Sequence, residues 1–489
     1  MTPRLRVESN AAGRPVVLGV FQTDGEPVWT RRAAAWPRSL LAGARDDGFT
    51  GNTGETHLIA APGVRAAEKI LLVGLGKKEA ADGQSLRLFA AGAFRRLAGT
   101  RWTTARIVVP DDVLPPADAA QAVAEGIGLA AYRFDKHRSK PSDDVLLKDI
   151  VLDVLPVDLR AADDRVRIGS LWAEAVSCAR DLINEPPSHK RPVVLGRWAQ
   201  SLASGRIRVR VYGKRELEKM GAGALLGVNR GSAHPPVLVH LHYAPKGKPR
   251  RRVAFVGKGI TFDSGGLSLK PADGMMTMKY DMAGAATVLS IFKILGRLAP
   301  DVEVHGVAPV TENMPGPDAY KPGDVVRALN GKTIEVLNTD AEGRVVLADA
   351  LTFATRLNVD EILDVATLTG AATVALGKNI AACLSNTPRM TERLRAAADA
   401  AGEKLWPLPL EATYREHLRS KVADLKNIGN PGEAGTIIGG LFLEEFVAGK
   451  PWAHIDMAGV GWNAAGTPTS APGATGAVVR TFLNYLRSL

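Results

Sequence analysis

The feature that most constrains the fold of this chain is a repeated alternation of short apolar runs with longer segments of helical periodicity. In the first third, "KILLVGLG" (69–76) and "TARIVVP" (104–110) have the pattern of buried strands, and "SLRLFAAGAFRRLAG" (85–99) has that of a helix. The same alternation resumes after about residue 185. The pattern predicts an α/β fold with largely parallel sheets.

The length of 489 residues is too great for one ordinary hydrophobic core. We therefore predict a smaller N-terminal α/β domain at 1–160 and a larger C-terminal α/β domain at 185–489, with a central mixed sheet flanked by helices. Apolar positions at helical spacing in 161–184, ended by two prolines, predict a linking helix between them.

Composition narrows the class of protein. Two cysteines, Cys178 and Cys383, lie in apolar surroundings, and no apolar stretch is long enough to cross a bilayer. These features predict a cytoplasmic protein without disulfides or membrane partners. The net charge of +11 raises DNA as a possible partner, but the basic residues are scattered. The densest run, "KGKPRRR" (246–252), separates two predicted strands, as a solvated turn would.

Several short motifs do not match a known chemistry. "VGLGKKE" (73–79) lacks the third glycine of a dinucleotide loop, and "NGKT" (330–333) is better explained as a hairpin turn than as a phosphate loop. Neither GxSxG nor HExxH occurs. His240 and His242 share one strand face and could ligate a metal, but such histidines are more often partly buried and hydrogen-bonded, and we favour that interpretation.

Two charged clusters follow predicted strands in the C-terminal half. In "VGKGITFDSGGLSLKPADGMMTMKYDMAGAA" (256–286) a glycine-rich stretch carries acidic and basic residues, and "NTDAEGR" (338–344) lies between apolar "TIEVL" and a predicted helix. Ligand sites of α/β sheets form at the carboxyl ends of strands, so the two clusters can converge. The four carboxylates that would meet are Asp263, Asp281, Asp340 and Glu342.

Four carboxylates repel one another unless cations neutralise them, and divalent ions do so better than lysine or arginine. Two residues apart in an extended segment, Asp340 and Glu342 would both reach the same ions. Oxygen ligands alone indicate Mg²⁺ or Mn²⁺, whereas an added nitrogen ligand would favour Zn²⁺ or Co²⁺. An ion-pair network at a domain turn is the alternative, although it does not explain why both clusters lie at strand exits among glycines.

At these residues the chain resembles the leucyl aminopeptidase (cytosol aminopeptidase) family. Its signature "NTDAEGR" is intact, and the glycine-rich stretch matches the family's metal-binding segment. Further matches are "RDLINEPP", "YKPGDVVRALNGKTIEVL", "DVATLTGAATVALG", "WAHIDMAG" and "GATGA". The motifs run from about residue 180 to the end, while the first 160 residues resemble the family mainly in architecture. One loop, "NIGNPGEAGTIIGG" (427–440), departs from the family pattern by placing Glu433 among its glycines.

The resemblance implies a dimetal site that holds zinc or manganese. The tightly bound ion would be held by Lys258, Asp263, Asp281 and Glu342, and the exchangeable ion by Asp263, Asp340 and Glu342. Lys258 can act as a ligand only as a neutral amine. Lys270 would stabilise the oxyanion, and Arg344 would hold a bicarbonate ion that takes a proton from the metal-bridging water.

The resemblance also implies the substrate and the assembly. A free peptide amine would bind the exchangeable metal, which restricts cleavage to the N-terminal residue. The pocket for a leucine-like side chain would be lined by Met278, Asn338, Thr367, Leu368, Gly370 and Ala458. A homohexamer enclosing its active sites would favour short peptides. Two alternatives stay open, a DNA-binding architectural hexamer and a catalytically silent assembly protein, although the complete ligand set argues against the latter.

Overall fold

The computed structural model describes residues 2–9, 15–60, 69–140 and 147–489. The chain divides into two compact units. The N-terminal unit extends to Ser177 and includes Ala464–Pro472, and the C-terminal unit comprises Cys178–Asn463 and Gly473–Leu489. Among the described residues, none of the helices combines the length and the apolar character needed to cross a bilayer.

The N-terminal unit is built on a seven-stranded sheet in the order β1-β7-β6-β2-β5-β4, with β3 added beside β2. Its strands are β1 (Arg4–Glu8), β2 (Val16–Gln22), β3 (Val28–Trp29), β4 (Thr56–Ala60), β5 (Lys69–Lys77), β6 (Thr104–Val108) and β7 (Asp149–Asp153). Its first helices are α1 (Ser39–Asp46), α2 (Gly83–Leu97) and α3 (Pro116–Ala130). Strands β1, β7, β6, β2 and β5 pair in parallel, as the alternating pattern predicts.

A single helix, α4 (Leu159–Asn184), covers the segment for which a linking helix is predicted. The two compact units divide within this helix, between Ser177 and Cys178. After Asn184 the chain enters the prolines at 186 and 187, and Pro187–His189 forms one short 3₁₀ turn.

The C-terminal unit carries the remaining elements. Its strands are β8 (Ile207–Tyr212), β9 (Val237–Tyr243), β10 (Arg252–Gly257), β11 (Gly259–Asp263), β12 (Glu303–Asn313), β13 (Val325–Arg327), β14 (Thr333–Glu335), β15 (Glu361–Ala366), β16 (Ile380–Ser385), β17 (Lys404–Pro407), β18 (Leu425–Lys426), β19 (Trp452–Asp456), β20 (Trp462–Asn463) and β21 (Gly473–Ala474). Its helices are α5 (Pro192–Gln200), α6 (Lys214–Met220), α7 (Gly223–Asn229), α8 (Ala272–Met275), α9 (Ala283–Leu298), α10 (Glu342–Thr355), α11 (Gly370–Leu376), α12 (Pro388–Ala401), α13 (Gly435–Glu444) and α14 (Val479–Arg487).

Nine of these strands form the central sheet, in the order β17-β16-β19-β15-β10-β12-β9-β8, with β11 beside β12. The middle strands β12, β10, β15 and β19 are parallel. Strand β9 is antiparallel to both of its neighbours, and β16 is antiparallel to β19 but parallel to β17. The sheet is therefore mixed, as predicted. Strands β15 and β19 are buried along their whole length, because α9 and α10 cover β15 and α12 and α13 cover β19.

Two details differ from the sequence-based expectation. A strand, β11, follows β10 almost immediately and ends at Asp263, in the glycine-rich stretch for which the sequence predicts no strand. The segment "TIEVL" contains a three-residue strand, β14, which belongs to a small sheet with β13 and β18 and not to the central sheet. The hairpin turn predicted at 330–333 is confirmed, since β13 and β14 pair antiparallel on either side of it.

Candidate metal centre

The candidate site lies where four central strands end. Lys258 directly follows β10, Asp263 ends β11, Thr367 directly follows β15, and Asp456 ends β19. Parallel strands bring their carboxyl ends to one edge of the sheet, so their last residues meet there. The sequence predicts convergence of strand exits for its two charged clusters, and Asp456 is not among the residues that it identifies.

The "NTDAEGR" segment reaches the same place by another route. Residues 339 and 340 form a turn, and Glu342 is the first residue of α10. The expectation that Asp340 and Glu342 align through an extended segment is therefore wrong, as is the expectation that a central-sheet strand delivers them. The turn is held by the side chain of Asn338, whose Oδ1 accepts the backbone N–H of Asp340 at 2.8 Å.

Lys258 lies between two carboxylates. Its Nζ is 2.8 Å from Asp281 Oδ2 and 2.9 Å from Glu342 Oε1, and it donates to the carbonyl of Thr367 at 3.0 Å. The glycine of "AEGR" is required here, because a Cβ on Gly343 would lie 2.6 Å from Lys258 Nζ. The side chain of Lys258 can therefore pass the start of α10 only because position 343 has no side chain.

A second lysine serves the other half of the cluster. Lys270 Nζ lies 2.9 Å from Asp263 Oδ2 and also pairs with Asp340 Oδ1. Oxygen atoms of Asp263, Asp340 and Glu342 all lie within 4.8 Å of one another. Asp340 is the most accessible of the three, with its side chain 33% exposed. The structure thus brings together all five predicted metal ligands and Lys270.

Charge in this cluster is not balanced. When all four carboxylates are ionised, they exceed the two lysine ammonium groups that they face by two negative charges, in a largely buried space. Burial, followed by the charge of Asp263, raises the pKa of Glu342 to about 8, and burial also raises the pKa of Asp281 to about 6. Burial alone would lower the pKa of Lys258, but the charges of Asp281, Glu342 and Asp263 outweigh it and raise that pKa. The residues present therefore suit divalent cations, which would remove the excess.

Arg344 lies two residues after Glu342 in the first turn of α10, and 7% of its surface is exposed. Its Nη1 donates to the carbonyl of Asn427 at 3.0 Å. Its Nε is buried and makes no hydrogen bond among the described residues. Burial lowers the pKa of Arg344 to about 10, although the charges of Asp456 and Glu342 oppose the shift.

The six predicted pocket residues differ in how closely the structure connects them to the cluster. Thr367 donates its hydroxyl to Asp281 Oδ1 at 2.7 Å, and the backbone N–H groups of Leu368 and Ala458 both donate to Asp456 Oδ1 at 3.1 Å. Asn338 holds the turn before Asp340. Gly370 is exposed at the start of α11, where a Cβ would meet nothing within 4 Å. Met278 is half-buried in a 3₁₀ turn three residues before Asp281.

Sequence reasoning missed three residues that hold the site. Asn313, fully buried at the end of β12, donates through Nδ2 to Asp263 Oδ1 at 2.8 Å, with Glu342 Oε2 at 3.4 Å. Asp456 accepts the backbone N–H groups of Leu368 and Ala458 and so connects the two segments that carry these pocket residues. It also accepts a hydrogen bond from the hydroxyl of Thr369 at 2.6 Å. Asn427, at the start of the divergent 427–440 loop, donates to the Asn338 carbonyl at 2.7 Å. Asp456 ends the motif "WAHID", which was the one signal that could have identified it.

Fold and site together define a two-unit α/β protein with a carboxylate-rich cation centre at the strand ends of its C-terminal unit. Sequence comparison then gives the family. The profile of the "Cytosol aminopeptidase family, catalytic domain" matches residues 177–483, and that of the family's N-terminal domain matches residues 17–141. The chain belongs to the cytosol aminopeptidase family, which places it among the peptidases.

Relatives match over nearly the whole length. A "Probable cytosol aminopeptidase" of Aquifex aeolicus is 39% identical, with 97% of this chain and 95% of the relative covered. One from Thermosynechococcus vestitus is 42% identical, with 98% and 97% covered. Among solved structures, the bottromycin maturation enzyme BotP superposes with a TM-score of 0.85 at 39% identity, covering 97% of this chain and 98% of that one. A second BotP structure, at 38% identity, is in complex with Mn.

Proposed function

We propose that this protein is a dimetal aminopeptidase that releases N-terminal, leucine-like residues from short peptides. The observation that carries the proposal is the excess of two negative charges among four convergent carboxylates at the strand ends. Such an excess suits a pair of divalent ions, zinc or manganese, held by Lys258, Asp263, Asp281, Asp340 and Glu342. The structure of BotP, which is similar to this chain, has been solved in complex with Mn, which agrees with that chemistry.

Bound ions would act as Lewis acids, polarising the scissile carbonyl and lowering the pKa of a water molecule between them. The residues of the chain prepare this chemistry in distinct ways. Asp263 and Glu342 are oriented by the amide of Asn313, so their oxygens are fixed before any ion binds. Lys258 is paired with two carboxylates, and it must lose its proton before its nitrogen can serve as a ligand.

Lys270 and Arg344 have the properties that charge-stabilising groups need. The pKa of Lys270 is raised, because the charge of Asp263 and the hydrogen bond to Asp340 outweigh the effect of burial. Lys270 therefore stays cationic beside the cluster. We assign it to the oxyanion that develops on the peptide carbonyl. Arg344 is buried with an unsatisfied Nε, which suits the capture of a small planar anion such as bicarbonate as a proton carrier.

The specificity proposal rests on the small and apolar residues beside the cluster. Gly370 leaves open space where a side chain would project, and Thr367, Leu368 and Ala458 are held in place by hydrogen bonds to Asp281 and Asp456. Together with Met278 and Asn338 they would accept a branched aliphatic side chain. We also propose a homohexamer, which sedimentation velocity would test. DNA binding stays a prediction from net charge only.

Hydrolysis of a leucine anilide, compared with its N-acetylated twin, tests the proposal. Both substrates would be offered to enzyme stripped with a chelator and then resupplied with Zn²⁺, Mn²⁺ or Co²⁺. We expect activity only after metal is returned, and only on the substrate with a free amine. Cleavage of the acetylated twin, or a folded protein inactive with every metal, would contradict the proposal.

A further inference from the structure

The carboxyl end of α4 is joined to the segment that carries two of the assigned site residues. Helix α4 ends at Asn184, and the last four carbonyl groups of a helix have no partner inside the helix. The carbonyl of Asp181 accepts the backbone N–H of Glu185 at 3.1 Å. The other three carbonyls, of residues 182–184, accept hydrogen bonds from lysine side chains. The end of α4 is therefore capped by side chains from later in the chain.

Lys190 provides most of this capping. Its Nζ donates to the carbonyls of Leu182 at 3.1 Å and Ile183 at 2.6 Å, and to the carbonyl of Lys279 at 2.7 Å. The three bonds use all three protons of the ammonium group. Only 3% of the residue is exposed, so the carbonyls replace the water that a buried charge lacks. Lys190 thus fixes the backbone at residue 279 to the end of α4.

Lys279 makes the reciprocal contact. Its Nζ donates to the carbonyl of Asn184 at 2.9 Å and lies 5.6 Å from the centre of the Trp462 ring, within the range of a cation–π contact. Burial, followed by the charge of Lys279, lowers the pKa of Lys190, so the two ammonium groups repel each other. The four carbonyl contacts and the negative end of the helix dipole oppose this repulsion. We name the side chains of Lys190 and Lys279 the lysine clamp.

The lysine clamp holds a short turn beside the metal centre. Met278–Tyr280 forms a single 3₁₀ turn, and the N–H of Asp281 lies 3.4 Å from the carbonyl of Met278, which is longer than a usual hydrogen bond. The hydroxyl of Tyr280 donates to the carbonyl of Ala458 at 3.2 Å. Asp281 follows the turn directly and is one of the four carboxylates of the metal centre. The place of that carboxylate therefore depends on where the clamp fixes the turn.

We propose that Lys190 is a positioning residue of the aminopeptidase reaction, which sets the place of Asp281 in the metal centre and of Met278 in the side-chain pocket. The inference rests on the proposed function, because that function assigns Asp281 to the more tightly bound ion and Met278 to the pocket. Lys190 acts on both through the backbone of residue 279. Because Asp281 is assigned to one ion only, a loosened clamp weakens the binding of that ion and leaves the other.

The experiment compares the two Mn²⁺ dissociation constants of full-length wild type and Lys190→Met, by competition with a metal-binding dye. The substitution keeps the apolar stem and removes the three hydrogen bonds. We expect the tighter ion to bind about 10- to 100-fold more weakly, as loss of a group that orients a ligand usually causes. The weaker ion, to which Asp281 is not assigned, should change much less.

Lys450→Met is the matched control. The Nζ of Lys450 also donates to a backbone carbonyl, that of Val359 at 3.0 Å, but Lys450 lies before the start of β19, at the edge of the sheet opposite the metal centre. Both dissociation constants should be unchanged in this variant. Lys279→Met removes only the outer half of the clamp, so it should weaken the tighter ion in the same direction and by less than Lys190→Met.

Substrate preference gives a second measurement, which a loss of stability alone would not change. At saturating Mn²⁺, the ratio of kcat/KM for leucine anilide to that for alanine anilide should fall about tenfold in Lys190→Met, the contribution of roughly one methylene contact. The physical reason is that a displaced Met278 loses contact with a leucine side chain and not with the shorter alanine. The ratio should be unchanged in Lys450→Met.

The outcomes separate this inference from the function on which it rests. A wild-type protein that binds no pair of ions would overturn both together. Two ions bound by wild type, with both constants unchanged or equally weakened in Lys190→Met, would overturn the inference alone. If Lys190→Met fails to fold, Lys279→Met keeps the test valid, and an unchanged affinity for the tighter ion in that variant would overturn the inference.

Discussion

Both units bury charged side chains, but their charges are neutralised in different ways. In the N-terminal unit, Glu125 is paired with Arg87 at 2.6 Å, and Asp153 is paired with both Arg32 and Arg106. In the C-terminal unit, four carboxylates share two lysines. Buried carboxylates that are paired with guanidinium groups of the chain stabilise the fold. Buried carboxylates that exceed the available cationic side chains form a binding site for cations from solution.

The largest expected effect comes from removing one acid of the excess. Glu342→Gln should lower leucine-anilide hydrolysis at least 1,000-fold, since metal-based charge stabilisation contributes several kcal/mol and about 4 kcal/mol corresponds to that factor. Steady-state kinetics at saturating Mn²⁺ would measure it. At or above about pH 8, where Glu342 of the chelated protein is ionised, the chelated variant should unfold no earlier than chelated wild type, because it has lost a repelling charge. Near-wild-type activity would contradict the claim that the excess carboxylates of the C-terminal unit bind catalytic cations.

The opposite behaviour is expected at a balanced pair. Arg87→Met leaves the Glu125 charge buried without its guanidinium partner, so the free energy of unfolding should fall by about 3–5 kcal/mol. Urea denaturation would measure the loss. Added Mn²⁺ should not restore the stability of this variant relative to wild type, and the rate per folded molecule should be unchanged. Recovery by metal would show that the two regions are not distinct.

Asn313 separates the effect of orientation from the effect of charge, because its neutral amide positions carboxylates without neutralising them. Asn313→Leu should weaken metal binding about 10- to 100-fold, as loss of a group that orients ligands usually does. Competition with a metal-binding dye would report the affinity. Asn229→Leu is the matched control, since that buried amide donates to Thr311 Oγ1 at 3.0 Å and to the His234 carbonyl and touches no ligand. Equal losses in both variants would reduce Asn313 to a structural role.

The smallest expected effect is a pH dependence of the free energy of unfolding of the chelated protein. Because the folded pKa of Glu342 is raised to about 8, its contribution to stability is complete below its ordinary pKa near 4.5 and is lost as pH rises to about 8. Chelated wild type should therefore lose up to about 1.4 kcal/mol per pH unit in that window relative to Glu342→Gln. Parallel urea curves at each pH would measure the difference. Identical pH profiles would contradict the pKa shift.

Much of this arrangement could be predicted from the sequence because it is local. Apolar periodicity indicated the parallel strands, and glycine-flanked acids at strand exits indicated a cation centre. The contribution of Asn313 could not be predicted, since it acts on Asp263 and Glu342, which are distant in the chain. For Asp456 the only signal was its place at the end of "WAHID". The route of Asp340 was predicted wrongly because a turn and an extended segment of three residues have similar sequence patterns. The interpretation of His240 and His242 as partly buried, hydrogen-bonded histidines is confirmed, although their partners His305 and Glu303 depend on strand register, which the sequence does not fix.

The most direct test of the central claim is the metal content of wild type against the double variant Asp263→Asn, Glu342→Gln, which lacks both carboxylates assigned to bridge the ions. Both proteins would be dialysed against Mn²⁺ and analysed by elemental mass spectrometry, with circular dichroism to show that the variant is folded. The account predicts that wild type holds two more ions per chain than the folded variant. Equal metal content would contradict it, because the excess of buried negative charge would then not be what recruits the ions.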